Sequence, residues 1–193
     1  VLPFAPKGEI GEIGALFGKS IYVLNRVGDY GGIGATLCVD PWDLGQSVQT
    51  DAPTHIQEAS GGWDWNVVYS GFLTAMLAAS TPPFNYLRMG SAQARQRYGP
   101  GHSVTSREFG TTPTAGAISV LHIDGNHDEA AVGEDFANWG PLVVPGGWVI
   151  FDDYNWPHGD GPRKVAARAI AELGPKVARS FVAGGAMFVN LAS

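Results

Sequence analysis

The segment ISVLHIDGNHDEAAVGEDFANWGPLVVPGGWVIFDDY, Ile118 to Tyr154, decides the fold class. It opens on a largely apolar run, Ile118 to Ile123, that ends at Asp124. A run that is mostly apolar, rather than strictly alternating, suits a strand buried on both faces of a parallel sheet. A helical stretch follows from Glu129 to Trp139, then the turn Pro145-Gly146-Gly147. A second apolar run, Trp148 to Phe151, ends in Asp152-Asp153. Strand, helix and strand in this order make the repeating unit of a parallel sheet flanked by helices.

The rest of the chain follows the same alternation. Strands are expected over 8–13, 35–39 and 84–89, and helices over 20–26, 64–79 and 91–98. In the 64–79 helix, Trp65, Val68, Phe72, Met76 and Ala79 fall near one stripe. The stretches 45–62 and 100–116 are polar or rich in glycine and proline and read as loops. After the second Asp pair, Arg163 to Leu173 is helical, with Pro162 near its start. Two β segments, 177–182 and 186–191, flank Gly184-Gly185 as in a hairpin. The expected fold is α/β: one doubly wound, mostly parallel sheet with an antiparallel C-terminal hairpin, in a single domain over 1–193.

Composition narrows the function. The chain has 193 residues, 45% hydrophobic and 16% charged, which describes a globular protein with one sizeable core. A net charge of −6, with the basic residues scattered, argues against a nucleic-acid partner. Cys38 is the one cysteine, so no intramolecular disulfide or cysteine metal cage is expected. No apolar stretch approaches the ~18 residues of a membrane span, and no charged-then-apolar leader is evident. The expectation is therefore no membrane partner and a cytoplasmic setting. The chain begins at Val1 rather than Met, so elements before it belong to the open questions of the sequence.

Asp40, Asp124, Asp152 and Asp153 each follow an apolar strand. Open parallel sheets bind ligands in the crevice beyond the carboxyl ends of their strands, so these acids are expected on one rim. Buried carboxylates need cations or donors, which suggests a cation-holding or ligand-binding rim. The alternative for each acid alone is a solvated turn or helix cap.

The first turn, Glu12-Ile13-Gly14-Ala15-Leu16-Phe17-Gly18-Lys19-Ser20, admits three nucleotide-site readings. A P-loop needs four residues between its glycine and Gly-Lys-Ser, and this turn is one short. Val120 to Asp124 is nonetheless similar to a Walker B strand, so a P-loop-like nucleotide hydrolase stays open. The dinucleotide fingerprint is absent, because Gly14 has no glycine two residues on. The third pattern, E-x-G-x-x-x-G-x-S, places the Glu12 carboxylate beside the turn. That carboxylate repels a pyrophosphate and suits a cationic ligand carrying a sulfonium and an amino group. Asp40 can accept from both ribose hydroxyls.

The segment EIGALFGKS resembles motif I of class I methyltransferases. The stretch LHIDGNHDEAAVGEDFANWGPLVVPGGWVIFDDY resembles the later motifs of metal-dependent small-molecule O-methyltransferases, both catechol-type enzymes and bacterial relatives that modify sugars and antibiotics. The order of elements matches over nearly the whole chain. The resemblance implies a Rossmann-like methyltransferase fold and S-adenosylmethionine as cofactor. Glu12, Gly14 and Ser20 would line its methionine part, Asp40 its ribose, and Ser91 and Gln93 its adenine. Asp124, Asp152 and Asp153 would hold Mg²⁺ or a similar divalent metal, with Asp124 also bordering the cofactor and taking part in catalysis. Catechol-type relatives usually have Asn at the last position, so Asp153 is a departure that makes the site more anionic.

Methyl transfer to a hydroxyl requires removal of its proton, and a divalent ion lowers a bound hydroxyl's pKa. His127, three residues after Asp124, stands where relatives can carry their general base. His122, inside an apolar strand, reads as a satisfied core histidine. Trp42, Trp63, Trp65 and Trp156 fall near the rim and could stack on a flat ligand. The expected function is methyl transfer from S-adenosylmethionine to a hydroxyl of a small molecule. A metal-independent methyltransferase and a non-catalytic cofactor-binding module are the remaining alternatives. Relatives often form dimers, so a homodimer is a further expectation of the resemblance.

Overall fold

The protein is described by a computed structural model over residues 5–193. The expected domain span of 1–193 therefore includes four residues, 1–4, that lie outside the described ones. In chain order the elements are β1 (Glu9–Ile13), α1 (Lys19–Gly31), β2 (Thr36–Val39), α2 (Leu44–Ser47), α3 (Thr54–Gly61) and α4 (Trp65–Ala79). There follow β3 (Phe84–Leu87), α5 (Ser91–Arg95), β4 (Ser103–Ser106), β5 (Gly110–Pro113), β6 (Ile118–Ile123) and α6 (Glu129–Trp139). The chain closes with β7 (Val143–Phe151), α7 (Gly161–Leu173), β8 (Val177–Ala183) and β9 (Ala186–Leu191).

Seven strands form one sheet in the order β3-β2-β1-β6-β7-β9-β8. The pairs through β7 are parallel, and β9 runs antiparallel to both β7 and β8. This is the doubly wound α/β sheet with an antiparallel terminal hairpin that the apolar runs predict. The strand order reverses between β1 and β6, and the crevice beyond their carboxyl ends is the ligand position of such a sheet.

Period-two alternation sorts the core into two layers. Ile10, Cys38, Val120, Trp148 and Ile150 face Ile21 and Leu24 of α1 and Val68, Phe72 and Met76 of α4. Leu37, Leu121, Ile123, Val149 and Phe151 face Val132 and Trp139 of α6 and Val165, Ala166 and Ala169 of α7. Val68, Phe72 and Met76 are the buried members of the stripe expected on α4.

Five segments differ from their expected form, among them the helix expected over 91–98, which ends at Arg95. The stretch read as a loop over 45–62 carries α2 and α3. Their described side chains are mostly exposed, so no apolar period marked them. The loop expected over 100–116 contains the β4–β5 hairpin, built from threonine, serine and glycine rather than alternating apolar residues. Asn85 holds it from β3, donating through Nδ2 to the carbonyls of Val104 and Gly110 at 3.0 Å each. The first helix runs on to Gly31, and β7 starts at Val143, so the expected turn Pro145-Gly146-Gly147 lies within a strand. A register shift against β6 absorbs it. Among the described residues, no helix is long and apolar enough to cross a membrane.

Candidate functional site

Glu12, Asp124 and Asp152 lie on the carboxyl ends of three adjacent parallel strands. Register sets Glu12 beside His122, and His122 beside Ile150. Two residues further on, Asp124 and Asp152 project to the same side of the sheet. His122 Nδ1 is 2.8 Å from Glu12 Oε1, and its Nε2 is 3.5 Å from Asp152 Oδ2. His122 is therefore buried as expected, but its partners are carboxylates of the rim. Glu12 is fully buried, and its Oε2 has no hydrogen-bond partner.

Gly14 makes the turn out of β1 with φ +85°. A Cβ there would lie 2.1 Å from the Asp124 carbonyl oxygen, so the close approach of β1 and β6 requires glycine. Ser20 follows as the second residue of α1, half-buried.

Asp40, the expected ribose acceptor, also binds the backbone of its own rim. Its Oδ2 accepts from the backbone N–H groups of Ala15 and Leu16 at 2.8 and 2.9 Å. Its Oδ1 accepts from Trp42 N at 2.7 Å. The carboxylate thus braces the turn after Gly14. Burial pushes its pKa up, and those backbone donors oppose the shift. Trp42 fills the α1/α4 layer, with Nε1 donating to the Leu16 carbonyl at 2.8 Å, and is 2% exposed. It is core rather than a ligand platform. Trp63 and Trp65 pack on each other at the start of α4, while Trp156 lies against His127 with ring centroids 4.6 Å apart.

Ser91 and Gln93 sit on α5, Gln93 exposed. The Ser91 hydroxyl accepts from Trp139 Nε1 at 3.0 Å and bonds the Asp135 carboxylate. Burial pushes Asp135 up to about 7, the Ser91 hydroxyl opposes this, and the neighbouring Glu134 charge adds to it. A carboxyl whose folded pKa is raised stabilises fully at low pH and loses that contribution as pH rises through the raised value. Between about pH 5 and about pH 8 this single group should cost up to about 3 kcal/mol. Asp135→Asn keeps the shape and removes the titration, so its melting temperature should fall less than the wild type's over that range. Equal falls in thermal melts at the two pH values would refute this.

The rim also gathers His127 and Asp153. His127 Nε2 is 3.1 Å from Asp153 Oδ2, and the Gln49 amide nitrogen is 3.2 Å from its Nδ1. Burial lowers the His127 pKa, against the opposing pull of Asp153, Asp152 and Asp128. Among the described residues, two groups could each hold a metal ion, with ligand atoms within 4.8 Å of one another: Asp124, His127 and Asp153, and Glu12, His122 and Asp124. Asp152 instead turns to His122, whose contact holds its pKa down. Asp124 and Asp153 thus share one group with His127, while Asp152 lies against His122. Local pattern carries no sign of that, because it depends on which side chain lies across the sheet.

Burial raises the Asp124 pKa to about 8, with His122 opposing and Asp152, Glu12 and Asp153 adding to the rise. The same surroundings hold His122 at about 10: burial pulls it down, and Asp152 and Glu12 more than offset that. A rim whose carboxylates cannot all ionise together is one that a divalent cation would relieve, and its oxygen donors fit such an ion.

The segment carrying α2 is latched over this rim. Asp128 accepts from Thr50 N and Thr50 Oγ1, at 2.7 Å each, and from Asp51 N at 2.9 Å. Asn126 Nδ2 donates to the Val48 carbonyl at 2.8 Å. Beside the latch is a polar cleft of about 340 Å³ lined by Asp51, His127, Glu129, Trp156 and Lys164, among others. Gln49, Asp128 and Asn126 were not singled out in the sequence, because their role rests on a loop that returns to the β6–α6 turn.

The family model for a methyltransferase domain matches residues 12–154. No curated protein matches the chain. Among solved structures, the O-methyltransferase NovP is 13% identical with a TM-score of 0.65, over 98% of this chain and 73% of its own. CalS11, a TDP-rhamnose 3'-O-methyltransferase of calicheamicin biosynthesis, is 14% identical with a TM-score of 0.55, over 95% and 71%. MycE, a mycinamycin-pathway methyltransferase solved with Mg, SAH and mycinamycin VI, is 16% identical with a TM-score of 0.53, over 96% and 45%. At these identities the likeness is one of fold, and this chain spans less than half the length of MycE.

Proposed function

We propose, from the premise that this chain belongs to the methyltransferase-domain family, that it transfers a methyl group from S-adenosylmethionine to a hydroxyl of a small molecule, assisted by a divalent cation. The observation that carries the reading is Glu12 Oε2: a buried carboxylate oxygen without a partner, at the switch point of the sheet. A buried acceptor left unsatisfied is costly, and the cofactor's ammonium group would satisfy it. Gly14 and Ser20 would line the methionine part, with Asp40 holding the turn that shapes it and bordering the ribose. Ser91 and Gln93 would border the adenine.

Asp124, Asp152 and Asp153 would hold the cation, with His127 close enough to join or replace one of them. When bound, a divalent ion acidifies a hydroxyl that it touches. His127 would take the hydroxyl's proton at Nε2, which needs its own proton on Nδ1. Gln49 can fix that form, because its buried Oε1 has no partner and an amide turn brings it to Nδ1. Burial, which lowers the His127 pKa, favours the neutral ring that a base requires.

One observation favours a metal-independent version: His122 faces both Glu12 and Asp152, where a protonated ring would offset part of the rim's negative charge. Calorimetric titration with S-adenosylmethionine, with and without Mg²⁺, separates the readings, with ATP and NAD as controls. Binding of S-adenosylmethionine alone is expected, tightened by Mg²⁺ if the cation belongs to the site. Binding of ATP in its place would overturn the methyltransferase reading.

A further inference from the structure

Asp135 is a carboxylate in an apolar position that the proposed chemistry does not use. It stands on the inner face of α6 with Val132 and Trp139, all three buried, and is itself 7% exposed. A carboxylate in such a place needs a cation or several donors. Among the described residues, no lysine or arginine pairs with it, and its one hydrogen-bond partner is the Ser91 hydroxyl. Neither of its oxygens is sealed off without a partner, as Glu12 Oε2 is. The oxygen that Ser91 leaves free is therefore open to its surroundings.

Two neighbours show where it opens. Asp135 Oδ2 lies 3.5 Å from the place where a Cβ on Gly125 would stand. Gly125 follows Asp124 at the carboxyl end of β6, on the edge of the crevice. It holds no left-handed φ, so the backbone alone does not demand glycine there. Its bare Cα leaves the carboxylate uncovered from that side. Ser91, the first residue of α5, is the other neighbour. Its oxygen accepts from Trp139 Nε1 at 3.0 Å, and its one hydrogen goes to Asp135. Ser91 thus has no donor left for a ligand, while Asp135 has an acceptor left.

We infer that Asp135 is a specificity residue of the cofactor site: its free oxygen accepts from the exocyclic amino group of the adenine, between Ser91 and Gly125. The inference rests on the S-adenosylmethionine reading above and adds to it the group that selects the base. On the adenine of a nucleoside, only the amino group donates, and the ring nitrogens accept. A carboxylate at this place attracts that amino group and turns away a base with a carbonyl there. Ser91 holds the carboxylate from α5, which limits its rotation.

The probes are S-adenosylhomocysteine and its 6-deamino analogue, in which purine replaces adenine and nothing else changes. Both are titrated calorimetrically into the intact protein at about pH 8, above the raised pKa of Asp135. Wild-type protein should bind the analogue about 10- to 100-fold more weakly, the scale of one hydrogen bond to a charged group. Asp135→Leu gives α6 the kind of residue its inner face otherwise carries. It should bind the two ligands alike, with affinity for the analogue near the wild-type value. Asp135→Asn serves where Asp135→Leu does not fold, and its uncharged oxygen should keep only part of the preference.

No preference in wild-type protein would overturn the inference, as would a full preference retained in Asp135→Leu. Equal losses for both ligands in that variant would mark a structural role instead and overturn it too. Disappearance of the preference in Gln93→Ala alone would assign the amino group to Gln93. Failure of the underlying reading looks different: wild-type protein would then bind neither ligand, and the inference would fall with it.

Discussion

A Gly14→Ala chain should lose most of its stability and, with it, cofactor binding. The added Cβ would lie 2.1 Å from the Asp124 carbonyl oxygen, 2.5 Å from its carbonyl carbon and 2.6 Å from the Gly125 Cα. All three are backbone atoms, so no side chain can swing aside to relieve the overlap. The residue also holds φ +85°, where an alanine costs about 1–2 kcal/mol before any clash. Relief would have to come from parting β1 and β6, where Asp124 N donates to the Ile13 carbonyl at 2.8 Å. Destabilisation above roughly 3 kcal/mol is the expected scale. Gly11 is the control on the same strand: its added Cβ would meet Ile118 at 3.4 Å, an ordinary contact with a side chain. Gly11→Ala should therefore cost far less. Thermal melts of both variants check this, and a Gly14→Ala protein that melts and binds S-adenosylmethionine like the wild type would refute it.

His127→Ala should lower kcat by about 10²- to 10⁴-fold, the usual contribution of a general base, once an acceptor is in hand. Affinity for S-adenosylmethionine should hold, because the ring touches Gln49, Asp153 and Trp156 rather than Glu12 or the Gly14 turn. Measuring Mg²⁺ affinity in the same variant separates two roles. Unchanged Mg²⁺ binding with a large loss of kcat supports the base. A matching loss of Mg²⁺ binding would assign His127 to the ligand set with Asp124 and Asp153. An unchanged kcat would remove His127 from the chemistry.

Much of the architecture was legible in local pattern. Apolar runs such as Ile118 to Ile123 suit strands buried inside a parallel sheet, and their spacing by helical stretches points to a doubly wound order. That order places acids following successive strands on one rim, so the neighbourhood of Asp124, Asp152 and Asp153 followed from the sequence. The glycine at the end of β1 was legible too, because a tight turn at a ligand crevice has few other solutions. The β4–β5 hairpin and the helices α2 and α3 were not, since side chains exposed to water leave no apolar period.

The partners of the polar groups were decided only by tertiary structure. The sequence by itself determined the fold class, the rim and its excess of carboxylates, because burial pattern and chain order are local properties. It could not determine that Asp40 would spend both oxygens on the turn beyond Gly14, or that Asp128 would latch the α2 segment. Nor could it set His122 between Glu12 and Asp152. A hydrogen bond across 110 residues, such as that from His122 to Glu12, exists only once strand register has brought the two side chains level.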